Sequence, residues 1–370
     1  MNSIIKNIKQ NVVGAFGWRT DRHILVIESD DWGSIRMPSL KTFNELQKKG
    51  VKFSDFGYEQ FDTIASCDDL ECLFDVCNSY HDINGKPLVI TANAVVANPD
   101  FDKIKETNYE QYFYEPITST MQRYYPDRSP FELWRQGMQK GFFHPQLHGR
   151  EHVNVPMWMN SLKANHVGVR DAFEKGVFSV LVSPTEDARR KNTDAYNYKN
   201  ESEFSVVKQS IVEASQLFEQ LFGYKSKSFI APSYKWDSAI ENVLNDVGVQ
   251  YIQGLYKHTD NGKVNYNFIG KHNKNGQIYL NRNCSFEYSQ VPNVNWIDEC
   301  LKCMEIAFRW HKPLTINMHR INFIGALNVQ NRDNNLKRFK QFMTRAQQMW
   351  PDIEFMTSDE LGDLINESNK

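Results

Sequence analysis

Residues 23–33 read HILVIESDDWG, and the fold turns on that stretch. His23–Ser29 is an apolar, partly β-branched run of the length of a buried strand. It ends abruptly on two carboxylates, Asp30 and Asp31, followed by Trp32 and Gly33. The same arrangement recurs three times. Phe142–Leu147 leads into His148-Gly149-Arg150-Glu151-His152, Ser226–Ala231 into Pro232-Ser233-Tyr234, and Leu314–Met318 into His319-Arg320. Further strand-like runs occur at Pro87–Val96, Val177–Ser183 and Val249–Gln253, with a shorter one at Ile353–Met356.

Between these runs, helical periodicity fits Ser39–Lys49, Asp68–His81, Pro130–Lys140, Met157–Lys175, Ser205–Phe222, Asp237–Val247, Trp296–His311 and Asn334–Met349. Gly50, Gly141, Gly176, Gly223 and Gly248 each follow one of these where a left-handed cap belongs. Alternating strands and helices predict an α/β fold on a parallel sheet, open or closed into a barrel. No linker, repeat or low-complexity run divides the chain, so one domain is expected over 1–370, with 1–20 as an N-terminal extension. In such folds the carboxyl ends of the strands converge on one face, where active sites are built. Four polar clusters at four strand ends therefore point to one site.

Composition narrows the function classes. The chain has 370 residues, 41% hydrophobic and 24% charged, which are the proportions of a soluble globular protein and not of a disordered one. A net charge of −2 does not mark the whole molecule as a binder of nucleic acid or anionic membranes, and no nucleic-acid partner is expected. Aromatic residues reach 13%; they fill cores, and they also form the platforms on which sugar rings stack. The six cysteines are too scattered for a disulfide scaffold, and the Cys300–Cys303 pair has no second such pair to complete a zinc site. Structural thiols are expected. No run has the length of a membrane span, and residues 1–17 lack a signal-peptide core, so the expected location is cytoplasmic.

The chemistry lies in the strand-end residues. Of two adjacent carboxylates, one can bind a metal while the other keeps a lone pair to take a proton from water; a turn or cap is the plainer alternative for Asp30-Asp31. His148 and His152, four apart, can reach one ion from a turn or helical segment. His144, followed by Pro145, is placed inside the strand. One aspartate and two histidines make a three-ligand site with open positions for water and substrate. Such a site acidifies water and polarises a carbonyl. It still needs a base and an acid, for which Asp30 and His319 are the candidates.

At these residues the chain resembles the polysaccharide deacetylase (NodB-like) superfamily of carbohydrate esterases. Ser29-Asp30-Asp31-Trp32-Gly33 is similar to the family's Asp-Asp-Gly motif, and His148-Gly149-Arg150-Glu151-His152 to its His-x-x-x-His pair. Phe229-Ile230-Ala231-Pro232-Ser233-Tyr234 resembles the proline-containing strand end that lines the site, and Ile316-Asn317-Met318-His319 the late histidine motif. The resemblance implies a single distorted (β/α)7-8 barrel of the glycoside hydrolase/deacetylase type. It implies one divalent metal, zinc first, on Asp31, His148 and His152, with Asp30 as base and His319 as acid. Trp32, Pro232, Tyr234 and Arg320 would contact a carbohydrate substrate carrying N-acetyl groups.

Three departures stand out. Ile230 occupies the place of the arginine that holds the catalytic aspartate, Ser233 replaces the tyrosine after the proline, and the family's Asp-Trp motif has no clear counterpart. Arg282 and Arg320 are the candidates for the missing cation. Three other readings remain open: a glycoside hydrolase of a related barrel using paired carboxylates, a sugar-binding barrel without activity, and an inverted zinc peptidase with Glu151 as base. The last needs residues 148–152 on a helix, which Gly149 and Pro156 oppose.

Overall fold

A computed structural model of the chain describes residues 10–53, 57–181, 192–260 and 263–368. Its strands are β1 (Ile24–Trp32), β2 (Ile90–Val95), β3 (Ala97–Pro99), β4 (Tyr114–Pro116), β5 (Phe143–Gly149), β6 (Ser228–Phe229) and β7 (Tyr251–Gly254). They continue with β8 (Lys257–Asp260), β9 (Lys263–Tyr266), β10 (Ile278–Asn281), β11 (Cys284–Ser285), β12 (Leu314–His319) and β13 (Glu354–Met356). One sheet runs in the order β10-β7-β6-β5-β2-β1-β12-β11, with β13 paired to β1. Every pairing in it is parallel.

The two edge strands of this sheet are consecutive in the chain. Arg282 N donates to Gly254 O at the end of β7, whereas Asn283 N donates to Thr315 O on β12. The chain thus changes partner between residues 282 and 283 and spans the seam itself. With β10 and β11 counted as one stave, the sheet curls into a seven-stave barrel, and β13 pairs beside the start of β1. This is the distorted (β/α)7-8 architecture that the alternation and the resemblance predict.

Except between β7 and β10, where the antiparallel β8–β9 hairpin stands instead, helices make the crossovers that parallel strands require. Local chemistry fixes their ends: Ser66 and Asp69 form a capping box at the start of Cys67–Ser79, and Asn200 caps Glu201–Phe222, which stops at Gly223 with φ 80°. Among the described residues, no helix is long and apolar enough to cross a membrane. Two expected elements differ. Met157–Lys175 is not one helix but Val155–Lys163 and Val167–Phe173, broken where Asn165 takes φ 54°. Val177–Leu181 forms no strand although four of its five residues are buried, and Val182 and Ser183 lie outside the described residues.

Side chains alternate across each stave. On β1, Leu25 and Ile27 join the large apolar layer beneath the helices, whereas Ile24 and Val26 meet Tyr251, Ile278, Leu280, Leu361 and Ile365 in a second cluster. That cluster plugs the barrel, with the C-terminal helix Ser358–Ser368 packed on it. Further along the same face the positions turn polar: Glu28, Thr91, Asn93, Gln146, Ser228, Gln253 and Arg282 are all within 3% of complete burial. Asp30, His148 and His319 continue this alternation by steps of two from Glu28, Gln146 and Asn317. The barrel's inward parity therefore carries them to one mouth.

Candidate metal centre

Adjacent residues of a strand point to opposite faces, so Asp30 and Asp31 reach the same mouth only if the strand is deformed. It is. The β1–β2 register shifts between Ser29 and Trp32, and Asp31 adopts φ 72°, a left-handed conformation costly for a residue with a Cβ. A second shift between Ala94 and Val95 in the β2–β5 pairing accompanies Gly149 at φ 122° and turns the chain after His148 so that His152 comes back beside it.

Asp31, His148 and His152 each offer one ligand atom, and the three atoms lie within 4.8 Å of one another. Nε2 of His148 and of His152 are 3.3 and 3.2 Å from Asp31 Oδ1. His148 Nδ1 is 2.9 Å from Ile230 O, and a carbonyl only accepts, so Nδ1 carries a proton and Nε2 is the atom through which the ring would bind a cation. That Nε2 is buried without a hydrogen-bond partner among the described residues. Burial pushes His152 down to about 4, against the pull of Asp31, so it is neutral. Burial opposes ionisation of Asp31, but Arg36 and His152 hold it well below the ordinary carboxylate range. Arg36 Nη2 occupies Asp31 Oδ2 at 2.9 Å and leaves Oδ1 to face the imidazoles. A buried ring nitrogen left without a hydrogen-bond partner opposite a carboxylate oxygen fits a cation, and the mixed donor set suits a first-row divalent ion.

Asp30 sits beside the triad in a different environment. Arg282 grips it with Nη1 on Oδ2 at 2.6 Å and Nη2 on Oδ1 at 2.7 Å, and Asn93 Nδ2 adds a third donor to Oδ1 at 2.8 Å. Burial opposes the charge, yet Arg282 outweighs it and holds Asp30 at about 2. The cation absent from position 230 is thus supplied from the seam. Arg282 also bonds Glu28, Tyr234 Oη and Asn317 Oδ1. Across the cleft, His319 Nδ1 lies 2.6 Å from Glu287 Oε1, and this carboxylate overcomes burial to raise His319 to about 9. With Nδ1–H given to Glu287, Nε2–H is the proton His319 has for the cleft.

Asp30, Asp31, His148, His152 and His319 line one cavity of about 340 Å³, together with Tyr58, Arg36, Ser233 and Tyr234. Ser233 and Tyr234 take φ 57° and 56°, a tight turn that swings Tyr234 onto the wall. Pro232 starts that turn, is buried and does not reach the cavity. Trp32 and Arg320 are corrections to the sequence reading. Trp32 lies beyond the bulge on the opposite face, its Nε1 bonded to Ser29 Oγ and its ring edge-on to Phe143 and Trp134. Arg320 is wholly buried, tied to Asp62 and Ser34 O, and takes no part in holding Asp30. His144 bonds Asp359 two residues down the barrel from Gln146.

Residues 148–152 are the end of β5 and a turn, not a helix, and Glu151 is held by Arg150 (Nη2–Oε1 2.9 Å), so the peptidase geometry is absent. Sequence reasoning missed Arg36, Tyr58 and Glu287. A larger apolar cavity of about 520 Å³, between Phe16, Phe268 and the helix Trp296–Arg309, opens on the far side of Arg282 and contains none of the triad.

No family model matches the chain, and no curated protein matches it. Solved structures similar to it include a probable polysaccharide deacetylase from Pseudomonas aeruginosa PAO1, at 10% identity and TM-score 0.47 over 93% of this chain and 91% of that one. Puue allantoinase is similar at 10% identity and TM-score 0.48, over 94% and 91%. The 4-alpha-glucanotransferase from Thermococcus litoralis is similar at 10% identity and TM-score 0.46; the match covers 92% of this chain but only 40% of that enzyme. Likeness at this level assigns no activity, so the chemistry must come from the chain's own residues.

Proposed function

We propose that the protein is a metal-dependent hydrolase that removes acetyl groups from N-acetylated sugars of a polysaccharide or glycan precursor. One divalent ion, zinc in the first instance, would be held by Asp31, His148 and His152. The observation that carries the reading is the meeting, in one cavity, of the buried triad with its orphaned His148 Nε2, an ionised Asp30 and a protonated His319.

A divalent ion in such a triad supplies an acidified water and polarises the acyl oxygen. The remaining work falls to side chains. Asp30, fixed by Arg282, accepts the proton of the attacking water. His319 holds a proton on Nε2 and gives it to the amine nitrogen as the C–N bond breaks, since an unprotonated amine is a poor leaving group. Acetic acid and the free amine are the products; Asp30 is left protonated and His319 neutral, and the loss of the one proton and the uptake of the other through solvent restore the starting state. Tyr58 and Tyr234 offer aromatic walls to a sugar ring. The strand-end motifs support the same reading through their resemblance to the deacetylases, with Arg282 in the place of the motif arginine.

The test is acetate release from N-acetylglucosamine oligomers by metal-loaded protein. Release that disappears on chelation and returns with zinc is the expected outcome. Turnover that survives complete metal removal would overturn the metal-dependent reading, and cleavage of the glycosidic bond in place of the amide would overturn the choice of reaction.

A further inference from the structure

Asp30 owes its pose to more than Arg282. Asn93 and Gln253, both wholly buried, face each other as a reciprocal amide pair: Asn93 Nδ2 donates to Gln253 Oε1 at 2.9 Å, and Gln253 Nε2 donates to Asn93 Oδ1 at 3.0 Å. An isolated amide pair could flip as a unit. This one cannot, because a flip would turn Gln253 Nε2 toward the donor-only Arg282 and Asn93 Oδ1 toward the acceptor-only Asp30 carboxylate. At one end Arg282 Nη2 donates to Gln253 Oε1 at 3.2 Å. At the other, the Ser228 backbone N–H and Oγ–H both go to Gln146 Oε1, at 2.8 and 2.9 Å, which leaves Ser228 Oγ to accept Gln253 Nε2 at 2.9 Å. Only one amide orientation satisfies the set, and in it the second proton of Asn93 Nδ2 is aimed at Asp30 Oδ1.

The geometry points to Asn93 and Gln253 as positioning residues that select which oxygen of Asp30 works. Oδ1 receives two donors, Asn93 and Arg282, while Oδ2 receives Arg282 alone, so Oδ2 keeps the lone pair for a proton. A barrel core is ordinarily filled with branched apolar side chains. Here a fully satisfied polar layer stands directly beneath the mouth, where satisfied networks are rigid. The catalytic part of this inference rests on the deacetylase reading; the structural part does not.

The deciding variants are Gln253→Met, which removes both halves of the pairing at similar volume, and Gln253→Glu, which keeps the shape and removes both donors. Crystal structures of the metal-free variants should show the Asp30 carboxylate rotated away from its Arg282 fork. On an N-acetylated oligosaccharide, kcat should fall about 10- to 100-fold with KM and metal content unchanged, because displacements on the order of 1 Å carry such losses. Asn93→Ala combined with Gln253→Met should lose no more than either alone, as expected of residues acting as a unit. Asp30 and Arg282 unmoved in both variants would overturn the inference whatever the enzyme hydrolyses. So would independent, multiplying losses in the double variant, or lowered melting temperature with kcat intact. If Gln253→Met fails to fold, the isosteric Gln253→Glu answers the same structural question. A wild-type protein inactive on every N-acetylated sugar would sink the deacetylase reading alone, and the variant structures would still decide the positioning role.

Discussion

Glu287→Gln removes the charge facing His319 and keeps an acceptor of the same size. Glu287 Oε1 is 2.6 Å from His319 Nδ1, and Asn322 Nδ2 holds the other carboxylate oxygen at 2.9 Å, so the side chain has little freedom to move away. Burial alone disfavours the imidazolium, and Glu287 outweighs it, raising His319 from 6.5 to about 9. A rise of that size corresponds to roughly 3 kcal/mol of preference for the charged form. The folded-state value lies above the unfolded one, so this stabilisation is complete below about pH 6.5 and lost as the pH rises through about 9. The variant's deficit relative to wild type should therefore be larger at about pH 6 than above about pH 9.5, by up to roughly that amount, on top of a pH-independent cost of turning its amide N–H toward a donor. Urea melts of the metal-free proteins at both values measure the difference. In the metal-loaded enzyme the alkaline limb of amide hydrolysis should move to lower pH, because His319 loses its proton earlier. A variant equally destabilised at both values, with an unmoved alkaline limb, would show that Glu287 acts by packing and hydrogen bonding and not by holding the proton on His319.

Three further outcomes are expected. Asp30→Asn should retain metal and lose turnover, whereas Asp31→Asn should lose both; equal metal loss would mean that the pair chelates jointly. His319→Ala should lower amide hydrolysis by about 10²–10⁴-fold and spare an activated oxygen ester, whose leaving group needs little protonation; equal losses on both would make His319 a positioning or structural residue. Gly149→Ala should weaken metal binding by roughly 10–100-fold, as loss of ligand support does, measured by competition with a chromogenic chelator. Its added Cβ would lie 2.5 Å from Tyr196 Oη at a backbone φ of +122°, so the turn carrying His152 must shift; unchanged affinity would show that the turn accommodates it.

Much of this site is legible in the sequence because each stave that contributes to it is an apolar run ending on polar residues. β1, β5 and β12 announce Asp30, Asp31, His148, His152 and His319 in that way; inward parity sets Asp30, His148 and His319 at one mouth, and the bulge at Asp31 and the turn at Gly149 bring Asp31 and His152 to it. The failures have physical causes. Adjacency to site residues suggests Trp32 and Arg320, but neighbours on a strand alternate faces, and the bulge that rescues Asp31 leaves Trp32 on the helix side. Glu287 follows a stave that changes partners after four residues and resumes with only two, too short on either side to read as a strand, and the same break makes Arg282 only one of two candidates for the cation beside Asp30. Arg36 approaches Asp31 from a segment without regular structure, where no periodicity exists to place it. Val177–Leu181 misleads in the opposite sense, since it is apolar and largely buried yet pairs with nothing in the sheet.

Metal stoichiometry tests the central claim most directly. Wild-type protein, stripped with chelator, incubated with excess zinc and desalted, should retain about one ion per chain by plasma mass spectrometry, as a three-ligand site requires. The His148→Ala/His152→Ala protein, treated in the same way and folded by circular dichroism, should retain none. One ion per chain in both proteins would contradict the assignment of Asp31, His148 and His152 as the metal centre, and with it the hydrolase built on them.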